Sequence, residues 1–189
     1  MADLRTARLC LRRWRHSDRE PFAAMNLDPR VTEFLPTPLD RYASDALVAR
    51  VEAHFEKHGF GLWAVEIRET GSFAGYVGLQ TPTFEASFTP CVEIGWRLAP
   101  ETWGKGYATE GALAVIDYGF TTLGLKEILS WTVPANVRSQ RVMTKLGMTH
   151  DPKDDFDHPL LPEGHPLRRH VLYRKSKGAE SAAKLPPER

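Results

Sequence analysis

The segment Trp103-Gly104-Lys105-Gly106-Tyr107-Ala108 has the composition of a ligand-holding turn. Two glycines let a chain bend tightly and bring its backbone against a ligand with no Cβ in the way. A helix opening behind such a turn offers unpaired amides and the positive end of its dipole, which together favour a phosphate or pyrophosphate. Lys105 adds a cation. A nucleoside-triphosphate loop requires Ser or Thr after Gly-Lys, where Gly106 stands, and a dinucleotide fingerprint requires a third glycine, where Thr109 stands. Neither pattern is met, which weakens a nucleotide hydrolase. A strand-to-helix turn whose glycines serve geometry alone stays open.

The patterning predicts the elements that must position this turn. Arg8 to Trp14 alternates apolar with polar residues, as a half-buried strand does, and Ser17 or Asp18 can cap a helix that ends at Asp28-Pro29. A second helix is expected over 43–58, with Ala43, Leu47, Val51 and Phe55 as its buried stripe and Gly59 as its stop. Strands follow at 62–67, 74–80 and 91–98, the first two joined by a tight turn at 69–72, the last closed by Pro100. The glycine turn then opens a helix over 108–122 whose inner face is Ala108, Ala112, Val115, Ile116 and Gly119. A strand at 126–133 leads through Pro134 to a helix from Asn136, its cap, to Leu146, with Gly147 as its stop. The stretch 150–169 is rich in proline, glycine and acid and reads as a long loop. A last strand covers 170–174, and 176–189 reads as a frayed tail. Trp14, Trp63 and Trp131 are expected in the core, Trp96 and Trp103 beside the turn. The order describes a mixed α/β domain, helices packed on a central sheet, over residues 1–175.

Composition narrows the function classes. The chain has 189 residues, 42% hydrophobic and 26% charged, so it can bury the core of one domain. Lys and Arg total 25 against 24 Asp and Glu, a balance that argues against a dedicated nucleic-acid binder. Cys10 and Cys91 are too few for a disulfide framework and lack zinc-site spacing, so no metal is expected. No signal peptide or apolar run of membrane-spanning length is visible, which reads as a cytoplasmic protein with no membrane partner.

Glu93-Ile94-Gly95-Trp96-Arg97-Leu98 followed by Pro100 to Glu110 resembles the acetyl-CoA-binding core of the GNAT N-acetyltransferases. So does Pro134-Ala135-Asn136-Val137-Arg138-Ser139 with Lys145-Leu146-Gly147-Met148, most of all in the branch that includes the ribosomal-protein alanine N-acetyltransferases. The likeness spans about residues 7 to 175. It implies a GNAT-like fold, a central and mostly antiparallel sheet splayed between the 92–98 and 126–133 strands and flanked by helices. Pantetheine would lie along the first strand like an added strand, touching Trp96, Arg97, Leu98 and Asn136. The diphosphate would meet the amides of Gly104, Lys105, Gly106, Tyr107 and Ala108, with Trp103 and Thr109 also binding the coenzyme. Acetyl-CoA is then the co-substrate, and the acceptor is an amine of a protein N-terminus or a small molecule; a homodimer stays open.

Acetyl transfer needs a neutral amine, a held oxyanion and a stabilised leaving thiolate. Many relatives place a tyrosine where Met143 stands, and Met143 cannot donate a proton. Ser139, one helical turn earlier, takes the thiolate-binding role instead, or is simply a packed helix residue. Candidate bases are Glu93, unless it faces solvent, and His158 or His165 in the irregular stretch. Met143 and the lack of an unambiguous base leave an alternative, a protein that binds CoA without chemistry as a sensor or docking module.

Overall fold

The computed structural model describes residues 3–178. The strands are β1 (Leu4–Arg5), β2 (Leu9–Arg12), β3 (Leu62–Ile67), β4 (Phe73–Gln80), β5 (Glu93–Leu98), β6 (Glu127–Thr132), β7 (Thr149–His150), β8 (Phe156–Asp157) and β9 (Arg169–Ser176). The helices are α1 (Arg19–Leu27), α2 (Pro29–Thr32), α3 (Arg41–His58), α4 (Tyr107–Thr121) and α5 (Val137–Lys145). The strands lie in the order β1-β2-β3-β4-β5-β6-β9-β7, with β8 on β9. Every pairing is antiparallel except β5 with β6. This is the mixed, mostly antiparallel sheet that was expected. Among the described residues, no helix is long and apolar enough to cross a membrane.

Local chemistry explains where the elements start and stop. Asp40 caps α3 by accepting from the Ala43 N–H at 2.7 Å, and Gly59, at φ +73°, ends it. Pro29 ends α1 as expected, then serves as the first residue of α2, where its missing N–H costs nothing. The inner face of α4 is Gly111, Ala112, Val115, Ile116 and Gly119, packed with Leu9, Val77, Leu79, Ile94 and Ile128 in the main core.

Several expectations are corrected by tertiary contacts. All four residues of β2 are buried, not alternate ones. Arg12 can be buried because Asp18 accepts two of its N–H groups at 2.7 and 2.9 Å and Glu66 a third at 2.8 Å. Asp18 therefore spends its carboxylate on Arg12 and the Arg15 N–H rather than capping α1. The buried stripe of α3 is Ser44, Val48, Val51 and Phe55, rotated from the expected one because the Ser44 hydroxyl accepts from buried Asn26 at 3.0 Å. The stretch 150–169 is not one loop, since β7 and β8 pair with β9, each too short to show a period. Trp63 is core at 1% exposure and Trp14 is partly buried, but Trp131 leaves the core to line a cavity. The tail expected over 176–189 begins with Ser176 inside β9, and 179–189 lie outside the described residues.

The parallel junction creates the site. Glu93 of β5 faces Leu129 of β6, and the Leu129 N–H donates to the Val92 carbonyl at 2.9 Å. No later residue of the two strands pairs. Instead the Ser130 hydroxyl donates to the Ile94 carbonyl at 2.9 Å, where the next backbone N–H of a parallel ladder would sit. From there the strands part.

Candidate active site

A cavity of about 840 Å³ opens where β5 and β6 separate. By strand alternation, Trp96 turns its main-chain N–H and carbonyl to the same side as Ile94 and Leu98, toward the missing partner. The Leu98 carbonyl on that edge accepts from the Trp103 indole at 2.8 Å, which ties the end of β5 to the glycine turn.

Gly104 and Gly106 have φ of +74° and +80°, a conformation that L side chains resist. Gly106 is the N-cap of α4 and contributes no side-chain cap, so the first-turn amides of the helix stay open toward the cavity. Arg8 braces the turn from outside. It donates to the Lys105 carbonyl at 2.9 Å, pairs with Glu110 at 2.6 Å, and lies 4.7 Å over the Tyr107 ring. Burial would raise the Glu110 carboxyl, but hydrogen bonds from the Thr6 hydroxyl and from Arg8 hold it below the usual range.

On α5, Asn136 does two things together. Its Oδ1 caps the helix by accepting from the Ser139 N–H at 3.2 Å, its Nδ2 donates to the Thr132 hydroxyl at 3.0 Å, and the residue still lines the cavity. Ser139 lines it one turn along. Met143, the next turn, is 1% exposed and packs in the core. Arg138 lies 4.5 Å over the Trp103 ring and pairs with Glu33 at 2.9 Å, joining α5 to the segment after α2.

Glu93 is half-buried, not on a solvated face, and its carboxylate accepts from the Gln80 amide at 2.7 Å. Burial pushes its carboxyl up to about 8, against the pull of the Gln80 hydrogen bond. His158 Nδ1 accepts from the Leu160 N–H at 3.3 Å, so its proton sits on Nε2. Burial, with His170 nearby, lowers its basicity. His170 lies 5.2 Å from His158 between ring centres. Its Nδ1 must donate to the Arg168 carbonyl at 3.0 Å, which leaves Nε2 as the acceptor. Phe84, Phe88, Trp131 and Phe156 pack with these rings.

Glu93, His158, Ser139, Trp96, Arg97, Leu98, Trp103, Gly104, Gly106, Tyr107, Ala108, Thr109 and Asn136 are thus brought to one cavity. Lys105 is not among its lining residues, and its side chain is exposed. His165 is also absent from it, accepting from the Leu167 N–H at 3.1 Å in a turn. Sequence reasoning missed Gln80, Trp131, Arg138 and His170. No spacing marks Gln80, Trp131 and His170, because strand pairing carries each to the cavity, while Arg138 stood in the quoted Asn136–Ser139 segment without a role. Among the described residues, no cluster of His, Cys, Asp or Glu gathers to hold a metal ion.

Known proteins share this arrangement. The family model "Acetyltransferase (GNAT) domain" matches residues 8–149. An FsC-acetyl coenzyme A-N(2)-transacetylase of Aspergillus fumigatus is 36% identical over 154 residues, 78% of this chain; the chain covers 65% of that relative. The crystal structure of an acetyltransferase from Agrobacterium tumefaciens superposes with a TM-score of 0.75 at 29% identity, covering 94% of this chain and 95% of that one. A ribosomal-protein alanine acetyltransferase from Vibrio fischeri shares the fold at 18% identity, with a TM-score of 0.73 and coverage of 95% and 98%. Because the matched stretch runs through both parted strands, the amide turn and the Asn136 cap, the chain belongs to the GNAT acetyltransferases.

Proposed function

We propose that this protein transfers the acetyl group of acetyl-CoA directly to a primary amine while both are bound, the amine being a protein N-terminal α-amine or that of a small molecule. The observation that carries this reading is the open edge of β5, whose Trp96 main-chain groups face a cavity ending at the amide turn. An extended chain of amides, such as pantetheine, can pair there as a strand would. The open amides of the first turn of α4 suit a diphosphate, and Trp103, held to Leu98, walls the bend between the two. Arg138 supplies charge above that wall.

For the chemistry, Glu93 is the base. Its carboxyl near 8 matches the roughly 7.7–8.0 of an α-amine far better than the roughly 10.4 of a lysine. A main-chain N–H on the open β5 edge takes the negative charge that develops on the acetyl oxygen. Ser139 donates a hydrogen bond to the leaving sulfur; a thiol with an ordinary pKa of about 8.5 needs only that modest help. His158 lines the acceptor side, where its neutral Nε2–H can donate.

The test is thiol release from acetyl-CoA by the purified protein across a panel of N-terminal peptides and small amines. Turnover that Glu93→Gln abolishes supports the reading, and background rates throughout the panel refute it. Buried Met143, in place of a proton-donating tyrosine, favours one second reading, a protein that binds CoA without chemistry. Calorimetric CoA binding with no turnover of any amine would establish that one.

A further inference from the structure

The register of β4 and β5 builds a floor for the acceptor. Gln80 pairs with Glu93, Gly78 with Gly95 and Tyr76 with Arg97, so alternation puts these six residues on the face opposite core residues Ile94 and Leu98. Gly95 lines the cavity, and a Cβ built on it would meet nothing within 4 Å. The floor is therefore bare between Glu93, which carries the carboxylate, and Arg97. Arg97 is already engaged, donating to Asn26 Oδ1 at 2.8 Å and lying 5.6 Å over the Tyr76 ring.

Phe34, Trp131, Leu160 and Leu167 give the cavity a large apolar lining. Its charges are lopsided. Glu93 is the one carboxylate among the described lining residues, against Arg97, Arg141 and Lys145, while Arg30 and Arg138 are already paired with Asp28 and Glu33. One ammonium can pair with Glu93, but a second on the same ligand would find no other carboxylate among the described lining residues, only neutral acceptors such as His170 Nε2. Burying such an unpaired charge costs several kcal/mol. The two histidines do not change this balance, since each has one ring nitrogen committed to the backbone and is buried toward its neutral form.

Resting on the acetyl-transfer reading above, we propose that the acceptor is a monoamine: its amine beside Glu93, its aromatic or branched apolar body over Gly95 against Trp131, with polycations rejected. This chemistry has two sources, the α-amine of a peptide that begins with an aromatic residue or a free arylalkylamine, whose alkylamine is about as basic as a lysine side chain and so less well matched to Glu93.

The test uses the purified full chain with acetyl-CoA and follows thiol release with phenethylamine, tryptamine, a phenylalanine-initiated tripeptide amide, spermidine and kanamycin. At least one aromatic acceptor is expected to exceed spermidine and kanamycin about tenfold or more in kcat/KM, and the arm that wins identifies the source. Equal or better use of either polycation overturns this proposal and leaves acetyl transfer standing. If no aromatic acceptor turns over although acetyl-CoA raises the melting temperature, the proposal is overturned and the coenzyme-binding reading gains. If acetyl-CoA neither binds nor reacts, the acetyl-transfer reading itself falls, and the proposal with it. Gly95→Val fills the floor in open space, so its fold should hold. It is expected to raise KM for the preferred aromatic amine about tenfold while KM for acetyl-CoA stays within about threefold. An unchanged amine KM in a variant that melts normally overturns the placement.

Discussion

Glu93→Gln separates a catalytic carboxylate from a structural one, because it should lower activity and raise stability together. The variant keeps an oxygen to accept the Gln80 amide hydrogen bond and changes only the charge and the ability to take a proton. With a carboxyl near 8, about a tenth of wild-type molecules hold Glu93 ionised at pH 7 and about nine-tenths at pH 9, so base catalysis should climb roughly tenfold over that interval. The assay is kcat/KM by thiol release with an acceptor whose own amine titrates below about pH 6, so that only the enzyme's base is read. The variant should lose about 10²–10⁴ in rate and show no such rise.

The stability sign runs the other way. Between about 4.5 and 8 the folded carboxyl keeps its proton while an unfolded one has lost it. Stability therefore falls as pH rises through that window, by at most about 5 kcal/mol above pH 8 and less with partial solvation. Glu93→Gln removes that loss and should melt about 5 °C or more above wild type at pH 9, with the gap closing near pH 4. A variant within twofold of wild-type activity with an unchanged pH profile, or one that melts lower at pH 9, would refute the assignment.

Other perturbations test the remaining parts. Ser139→Ala should cut kcat about tenfold with little change in KM for acetyl-CoA, since a bond to a leaving thiolate strengthens only as charge develops; steady-state kinetics at saturating acceptor reads this. Gly106→Ala forces a Cβ at φ +80°, costing about 1 kcal/mol; because this disturbs the amide turn, KM for acetyl-CoA should rise severalfold. Asp18→Ala strips Arg12 of two hydrogen bonds where both side chains are under 5% exposed, and urea unfolding should show a loss of about 3 kcal/mol.

Much of this fold is legible from local rules. The caps at Asp40 and Asn136, the stops at Gly59 and Gly147, and the small-residue face of α4 are each written within a few residues of where they act. The side of the cavity proposed for the coenzyme shares this property, since the turn at 103–109 and the Asn136–Ser139 pair are contiguous segments. One residue of this side still departed from its reading in the sequence. Lys105 shares that turn, but its exposed side chain is not among the cavity's lining, and its carbonyl is taken by Arg8, about a hundred residues earlier in the chain.

Beyond the Glu93 and His158 candidates, the acceptor side was illegible for a physical reason. Trp131 leaves the core for the cavity because β6 diverges from β5 after one bridge, and periodicity does not encode that divergence. His170 meets Phe156 and His158 through the two-residue strand β8, too short to carry a pattern. Whether Glu93 faces water or a cavity depends on what covers that side of the sheet, and its raised carboxyl follows from that cover alone. The amino-acid sequence by itself determined the elements, their ends and the amide turn, because capping, turn geometry and periodicity are short-range. Only the tertiary structure decided which charges are buried, where the sheet opens and what lies over Gly95. Those depend on desolvation and on contacts between residues far apart in the chain.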